Sequence, residues 1–351
     1  MPPVRPFPWW PASALLGAGT TVRRRLYAAG LLRAHQLPNP VISVGNISAG
    51  GTGKTPVVQW LAERLSEDGY RICIVSRGYG RPDPGTRVLV SDGKSVLAGA
   101  DTAGDEPALL AESLVGKAVV LCDRDRFAGA RWAVENLGSE LIILDDAFQH
   151  FQLDRTVDLV VVDASRPFAG LMREGVRALR RADAILLSRV ELAKDVSALS
   201  QKIDRASGGR PIFSSWLEST ALRPIESSRG QDEIPAGERV SAFCGVGNPD
   251  SFFAQVRREP FELVHTSVFL DHKAYTQIDV DEVCRAASEA GANYLITTAK
   301  DEVKLRALRF SLPVLVLETA LFVERGDDFL ALIKQILSTA VHAGSYGKAD
   351  R

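Results

Sequence analysis

The stretch Val41-Ile42-Ser43-Val44-Gly45-Asn46-Ile47-Ser48-Ala49-Gly50-Gly51-Thr52-Gly53-Lys54-Thr55-Pro56 runs from a short β-branched segment through a glycine-rich turn into a helical pattern. A phosphate-binding loop needs that context. Glycines let successive backbone N–H groups curl around phosphate oxygens, and the following helix adds the positive end of its dipole. Gly50, Gly51, Thr52 and Gly53 fit the cradle, Lys54 the contact with the terminal phosphates, and Thr55 the hydroxyl that binds Mg²⁺. The usual pattern, GxxxxGK[ST], places glycine where this chain has Ser48, and Gly50 and Gly51 offer the flexibility instead. An ordinary glycine turn would not require strand, loop and helix to agree as they do here. Pro56 is tolerated because the first turn of a helix has unpaired N–H groups anyway.

Outward from this loop, apolar runs alternate with helical stretches as far as about Phe213. The runs are Val41 to Val44, Ile72 to Val75, Ala118 to Leu121, Leu141 to Leu144, Leu159 to Val162 and Ile185 to Leu187. Most are apolar throughout, which predicts strands buried on both faces of a mostly parallel sheet with helices on either side, an α/β fold of the P-loop NTPase type. Between Val88 and Leu97, Asp92-Gly93 offers a hairpin turn and marks an insertion on that sheet. Residues 217–239 lack periodicity and are rich in Ser, Glu, Arg, Pro and Gly, which places a linker there. A second, smaller α/β domain follows, with strands expected at Val240 to Cys244, Leu263 to Phe269, Tyr294 to Thr297 and Val314 to Leu317, and helices at Val280 to Ala290 and Phe329 to Leu337. The expected division is thus 1–35 as an N-terminal helical segment, 36–216 as the nucleotide-binding domain, 217–239 as linker, 240–340 as a lid-like domain and 341–351 as tail.

A chain of 351 residues suits two such cores, and a formal net charge of -1 argues against a nucleic-acid partner. The four cysteines, Cys73, Cys122, Cys244 and Cys284, form no CxxC pair and suggest neither a zinc site nor a disulfide framework, so a reducing compartment is the simplest home. No stretch reaches the roughly 20 apolar residues of a spanning helix. At the N-terminus, Leu15, Ala18, Val22, Leu26 and Ala29 fall on one helical face, with Arg23 and Arg24 off it. This reads either as an interfacial helix or as a helix packed on the domain core.

Several further segments carry polar groups at strand ends, where α/β folds place ligands. Leu141 to Leu144 leads into Asp145-Asp146, the position at which a phosphate-loop protein usually keeps a Mg²⁺-binding carboxylate. Adjacent carboxylates also serve as turn residues or caps. Gln149 and His150 follow on the same loop. Gly104-Asp105-Glu106-Pro107 precedes the helical run Ala108 to Leu114, where acidic residues either complement the helix N-terminus or act as base and metal ligand. Ser76-Arg77-Gly78-Tyr79-Gly80-Arg81 reads equally as a phosphate-binding or a solvated loop. Gly245-Val246-Gly247-Asn248-Pro249 begins like a dinucleotide loop but lacks its third glycine, which argues against that reading. Asp271-His272 follows a strand as a plausible orienting pair, and Thr297-Thr298-Ala299-Lys300-Asp301 has no role assigned by spacing.

In their shared order these blocks resemble the lipid A 4'-kinase, or tetraacyldisaccharide 4'-kinase, family over residues 9 to about 305. The resemblance implies transfer of the ATP γ-phosphoryl group to the 4'-hydroxyl of a tetraacyl glucosamine disaccharide 1-phosphate, giving lipid IVA. It implies Asp105 as general base tuned by His272 from the second domain, Lys54 as a catalytic lysine, and Thr55, Glu106, Asp145 and Asp146 serving Mg-ATP. It further implies acceptor contacts from Asn46, Arg77, Tyr79, Gln149, Arg173 and Glu174, and a peripheral protein on the anionic cytoplasmic face of the bacterial inner membrane; the oligomeric state stays open, with a monomer favoured. Two departures stand out: Ala147 replaces the usual glycine, and the loop from Asp163 to Arg173 is several residues short. The competing class is a nucleotide-switch ATPase at the membrane surface, which would need no acceptor base. A membrane-surface binding protein with an inactive nucleotide fold is a third reading, opposed by the intact Lys54, Thr55 and Asp145.

Overall fold

The computed structural model describes residues 10–225 and 236–342. In chain order its first elements are α1 (Trp10–Ala28), β1 (Val41–Gly45), α2 (Lys54–Glu67), β2 (Ile72–Ser76), β3 (Val88–Ser91), α3 (Ala100–Ala103), α4 (Asp105–Ser113) and β4 (Ala118–Cys122). There follow α5 (Arg126–Leu137), β5 (Leu141–Asp145), β6 (Val157–Asp163), β7 (Ala184–Ser188), α6 (Val196–Ser207) and β8 (Ile212–Pro224). The last are β9 (Arg239–Cys244), α7 (Pro249–Val256), β10 (Glu262–Val268), α8 (Gln277–Glu289), β11 (Tyr294–Thr298), α9 (Ala299–Leu305), β12 (Val314–Val323) and α10 (Gly326–His342). Every strand expected from the apolar runs is present, in an α/β fold with mostly parallel pairing.

The chain divides into two compact units, one of Met1–Val75, Asp125–Trp216 and Val323–Arg351, the other of Ser76–Arg124 and Leu217–Phe322. In the first, the strand order β8-β7-β6-β1-β5-β2 is parallel throughout. Strands β1, β2, β5 and β7 are buried along their whole length, as uninterrupted apolar sequence requires when helices cover both faces. Helix α2 buries Val57, Val58, Leu61, Ala62 and Leu65, a helical stripe whose members each contribute about 1.5–3 kcal/mol when large and fully buried. In the second unit, β10-β9-β11-β12 are parallel, and β3 and β4 form an antiparallel pair.

This division corrects the expected one at three places. Residues 76–124 belong to the second unit because α4 packs against α9 there. The C-terminal helix α10 belongs to the first, since Phe329 is fully buried with its ring 4.8 Å from Phe213 and 5.8 Å from Trp60. The segment assigned as linker begins inside β8, which runs to Pro224, and the buried Ile225 follows; residues 226–235 lie outside the described residues. Most of the expected tail lies outside them too. The Asp92-Gly93 hairpin is reduced to one bridge, Ser91 to Val96, around an Asp92 carboxylate that accepts from the N–H groups of Lys94 and Ser95.

Helix α1 turns most of the expected apolar face outward, with Leu26 alone of Leu15, Ala18, Val22, Leu26 and Ala29 half-buried. Leu15 and Val22 are 76% and 57% exposed, whereas Ser13, Gly17, Thr20 and Thr21 on the opposite side are half-buried. Ser13 Oγ accepts from the Met172 N–H at 2.9 Å, and the Tyr27 ring lies 6.2 Å from Phe151. The helix therefore docks through small and polar residues, the reverse of a helix packed on a core by its apolar stripe. Among the described residues no helix is long and apolar enough to cross a membrane.

Gly45 ends β1 against the loop after β5. A Cβ built there would lie 2.5 Å from Phe148 Cβ and 2.7 Å from Phe148 N, too close for either backbone to yield. Gly45→Ala is expected to cost about 1–3 kcal/mol by overpacking, read as a lowered Tm on thermal unfolding. An unchanged Tm would show that the approach relaxes freely.

Candidate active site

In the first unit, β1 delivers the glycine-rich loop to the start of α2. Gly50 and Gly53 adopt positive φ angles of 115° and 85°, and Gly53 caps the helix whose first residue is Lys54. Ser48, where the common motif has glycine, sits instead in an antiparallel bridge with Met172, and the Ala49 N–H donates to Leu171 O at 2.7 Å. The position is paired backbone that any residue adopts, which explains why serine serves. Asn46 Nδ2 donates to Thr52 Oγ1 (2.9 Å), Ser188 Oγ to Thr52 O (2.8 Å) and Arg189 Nη1 to Gly51 O (2.8 Å). The loop is thus preorganised by side chains from two strand ends.

Beside it, β5 ends in Asp145, paired in register with Val44 and only 2% exposed. Asp146 follows with φ 52°, a left-handed backbone rare outside glycine and frequent at functional turns. Its carboxylate accepts from Arg173 Nη1 at 2.8 and 2.9 Å and lies 3.4 Å from Lys54 Nζ. Burial pushes the Asp146 carboxyl up, but Lys54 and Arg173 together outweigh it and hold it below the usual range. Gln149 Nε2 donates both to Asn46 O (2.8 Å) and to Glu174 Oε1 (3.0 Å), and Arg181 grips both oxygens of Glu174 while lying over the Phe148 ring at 4.4 Å. Asn46 and Glu174, expected at the acceptor, are 0% and 5% exposed and instead brace the loop from beneath. His150 is pushed down to about 4 by burial and by Arg126 and Arg155, so it is neutral near pH 7.

In the second unit, α4 opens with Asp105 and Glu106, so the helix-terminus reading and the catalytic reading apply to the same carboxylates. Asp105 Oδ2 accepts from His272 Nδ1 at 3.3 Å and forms an ion pair with Lys304, whose Nζ lies 3.1 Å away. Burial pushes the Asp105 carboxyl up, while the His272 hydrogen bond and the Lys304 charge pull it down, with a net lowering that keeps it ionised at neutral pH. His272 has φ 61°, and its ring lies 5.4 Å from that of Tyr79, which is 70% exposed. Asp105 and His272 therefore meet within one unit, where the sequence reading had them in different domains. Glu106 pairs with Lys300 at 3.1 Å, and Lys300 also reaches Asp271 at 3.0 Å. Arg77 is exposed. The Gly245 to Pro249 segment closes on a cap, Asn248 accepting from the Ser251 N–H at the start of α7.

Among the described residues no three His, Cys, Asp or Glu side chains converge as a metal cage. The Thr55 hydroxyl in the first turn of α2 and the buried Asp145 at the end of β5 are hard oxygen donors of the kind Mg²⁺ takes when phosphates complete its shell. Sequence reasoning missed Ser188, Arg189, Arg126 and Lys304. Ser188 and Arg189 were findable, since they close an apolar run just as Asp145 does.

A glycine-rich loop ahead of a helix, a buried strand-end carboxylate and a parallel α/β sheet define a nucleotide-binding phosphotransferase fold. The chain belongs to the LpxK family, tetraacyldisaccharide-1-P 4'-kinase, whose model matches residues 7–338. It is 38% identical over 316 residues to the tetraacyldisaccharide 4'-kinase of Desulfotalea psychrophila, covering 87% of this chain and 89% of that one. The enzyme of the same name from Anaeromyxobacter sp. is 40% identical over 344 residues, with 95% and 91% coverage. Among solved structures, LpxK from Aquifex aeolicus in complex with ATP superposes with a TM-score of 0.72 at 31% identity, over 93% of this chain and 98% of that one.

Proposed function

We propose that this kinase transfers the γ-phosphoryl group of ATP to the 4'-hydroxyl of tetraacyldisaccharide 1-phosphate, forming lipid IVA in lipid A biosynthesis. The observation that carries the reading is the Asp105–His272 pair. A switch ATPase, whose acceptor is water, needs no fixed base for a sugar hydroxyl, whereas a sugar kinase is served by a carboxylate held ionised at its acceptor. The proton of the 4'-hydroxyl passes to Asp105 as its oxygen bonds to the γ-phosphorus, the bridging bond to the β-phosphate breaks, and ADP leaves. His272 holds Asp105 in place through its Nδ1 contact with Oδ2. On the nucleotide side, the loop N–H groups of residues 50–53 and Lys54 carry the phosphates. Mg²⁺, when bound, neutralises charge on the phosphates; in the first unit Thr55 and Asp145 would hold it, with Asp146 as the further acidic residue beside them. In the second unit the exposed Arg77 and Tyr79 suit the acceptor headgroup; in the first, Arg173 lies next to Asp146 and Gln149 donates to Asn46 O. Purified protein, labelled ATP and the tetraacyl disaccharide 1-phosphate in detergent micelles test the assignment; ATP hydrolysis without label in the lipid would reject it.

The exposed apolar face of α1 supports a peripheral seat on the anionic cytoplasmic face of the inner membrane, where the lipid substrate resides. Removal of residues 1–28 is expected to abolish sedimentation with anionic vesicles and to raise the KM for lipid by about tenfold while leaving the KM for ATP unchanged, since such a helix supplies position rather than chemistry. The cut spares His35, whose ring stacks on Phe127 at 4.2 Å. Full vesicle binding by the folded truncation would refute the membrane role.

A further inference from the structure

The segment from Thr297 to Lys304, to which the sequence assigns no role, is tied to Asp105 through a chain of fixed groups. Asp301, in the first turn of α9, is 0% exposed. Its Oδ1 accepts from the Tyr275 hydroxyl at 3.0 Å; its Oδ2 accepts from the Gly245 N–H at 3.0 Å and from Thr298 Oγ1 at 2.8 Å. A carboxylate bonded from three elements does not rotate. One turn further on, Lys304 is nearly buried, with its ammonium 3.3 Å from Asp301 Oδ1 and 5.4 Å from the centre of the Tyr275 ring. That ammonium reaches Asp105 Oδ2 at 3.1 Å, the same oxygen that His272 Nδ1 contacts at 3.3 Å. Among the described residues Asp105 Oδ1 has no hydrogen-bond partner.

We infer that Lys304, anchored by Asp301, is a positioning residue that locks the rotation of the Asp105 carboxylate, tying up Oδ2 so that Oδ1 is the oxygen presented to the acceptor hydroxyl. The inference rests on Asp105 being the base. A single donor on Oδ2 leaves the carboxylate freer to swing about its Cβ–Cγ bond; a fixed positive charge held 3.1 Å from the same oxygen opposes that swing. Lys304 is not there to strengthen the base, because a neighbouring cation lowers a carboxylate's proton affinity. Nor does stability explain it, since a buried ion pair is often no better than apolar residues of the same volume. Orientation remains, and misplacing a reacting group by about 1 Å costs on the order of 100-fold in rate.

Steady-state kinetics on the full chain in lipid micelles, with Tm measured alongside, test this. Lys304→Met is expected to lower kcat about 100-fold while the KM for ATP stays within about twofold. Lys304→Arg, which keeps a donor and a charge, is expected to recover most of that loss. In an Asp105→Ala background, Lys304→Met is expected to add less than about twofold, because residues acting through one group are not additive. Removing the ammonium leaves Asp301 uncompensated, so Asp301→Asn, which keeps the shape and loosens the anchor, provides a second variant with an expected loss of about tenfold in kcat. Wild-type kcat in a folded Lys304→Met or Asp301→Asn, arginine no better than methionine, or an undiminished Lys304→Met effect in the Asp105→Ala background would each overturn the role. Wild-type turnover in Asp105→Ala itself would instead remove the base, and the positioning role with it.

Discussion

Asp105→Ala is expected to lower kcat by about three orders of magnitude, within the range that a positioned general base contributes, while ATP affinity stays close to wild type. The separation follows from geometry: Asp105 pairs with His272 and Lys304 in the second unit, whereas the glycine-rich loop belongs to the first. His272→Ala is expected to lose less, about 100-fold, because Lys304 still holds Oδ2. The double variant is expected to be little worse than Asp105→Ala alone, as for groups sharing one task. The measurement is a double-mutant cycle on kcat at saturating lipid, with ATP affinity determined for each variant. Fully multiplicative losses would dissolve the pair, and a marked loss of ATP affinity in Asp105→Ala would move that residue to the metal.

Lys54→Ala is expected to reduce kcat by about 10³-fold, the scale on which a single preorganised donor stabilises charge developing in a transition state. Lys54 is 12% exposed and pairs with Asp146, so its loss removes one cation from a site that Arg173 still neutralises. The Tm is accordingly expected to shift by no more than about 3 °C. Turnover at the wild-type rate in the folded variant would contradict the role of the loop. A large fall in Tm would show that the Lys54–Asp146 contact is a pillar of the fold.

The sheet was legible because its strands are uninterrupted apolar runs, and a run such as Leu141 to Leu144 has no other place to go. The glycine-rich loop was legible because its chemistry is local, confined to eight consecutive residues. The unit boundaries were not, since nothing in residues 76–124 announces that α4 packs on a helix formed some 190 residues later. The Asp105–His272 pair came from resemblance rather than from spacing, and the structure reassigned it from two domains to one. Lys304 escaped for the same reason: a lysine on a helical turn reads as a solvated charge until its partner, distant in sequence, is in place. Asn46 and Glu174, which the resemblance rather than any local pattern placed at the acceptor, are both buried and bond to the chain itself.

The assignment of α10 to the first unit bears on how the chain is made. Synthesis proceeds from the N-terminus, and domains tend to fold as they emerge. Here the helix that covers Phe213 and Trp60 leaves the ribosome only after every residue of the second unit. The nascent nucleotide-binding unit must therefore wait, with an aromatic surface bare, for more than a hundred residues that belong elsewhere. A stop codon just before Gly326 would remove no catalytic group and still leave that surface uncovered, turning an active-site-intact fragment into a client for chaperones and proteases.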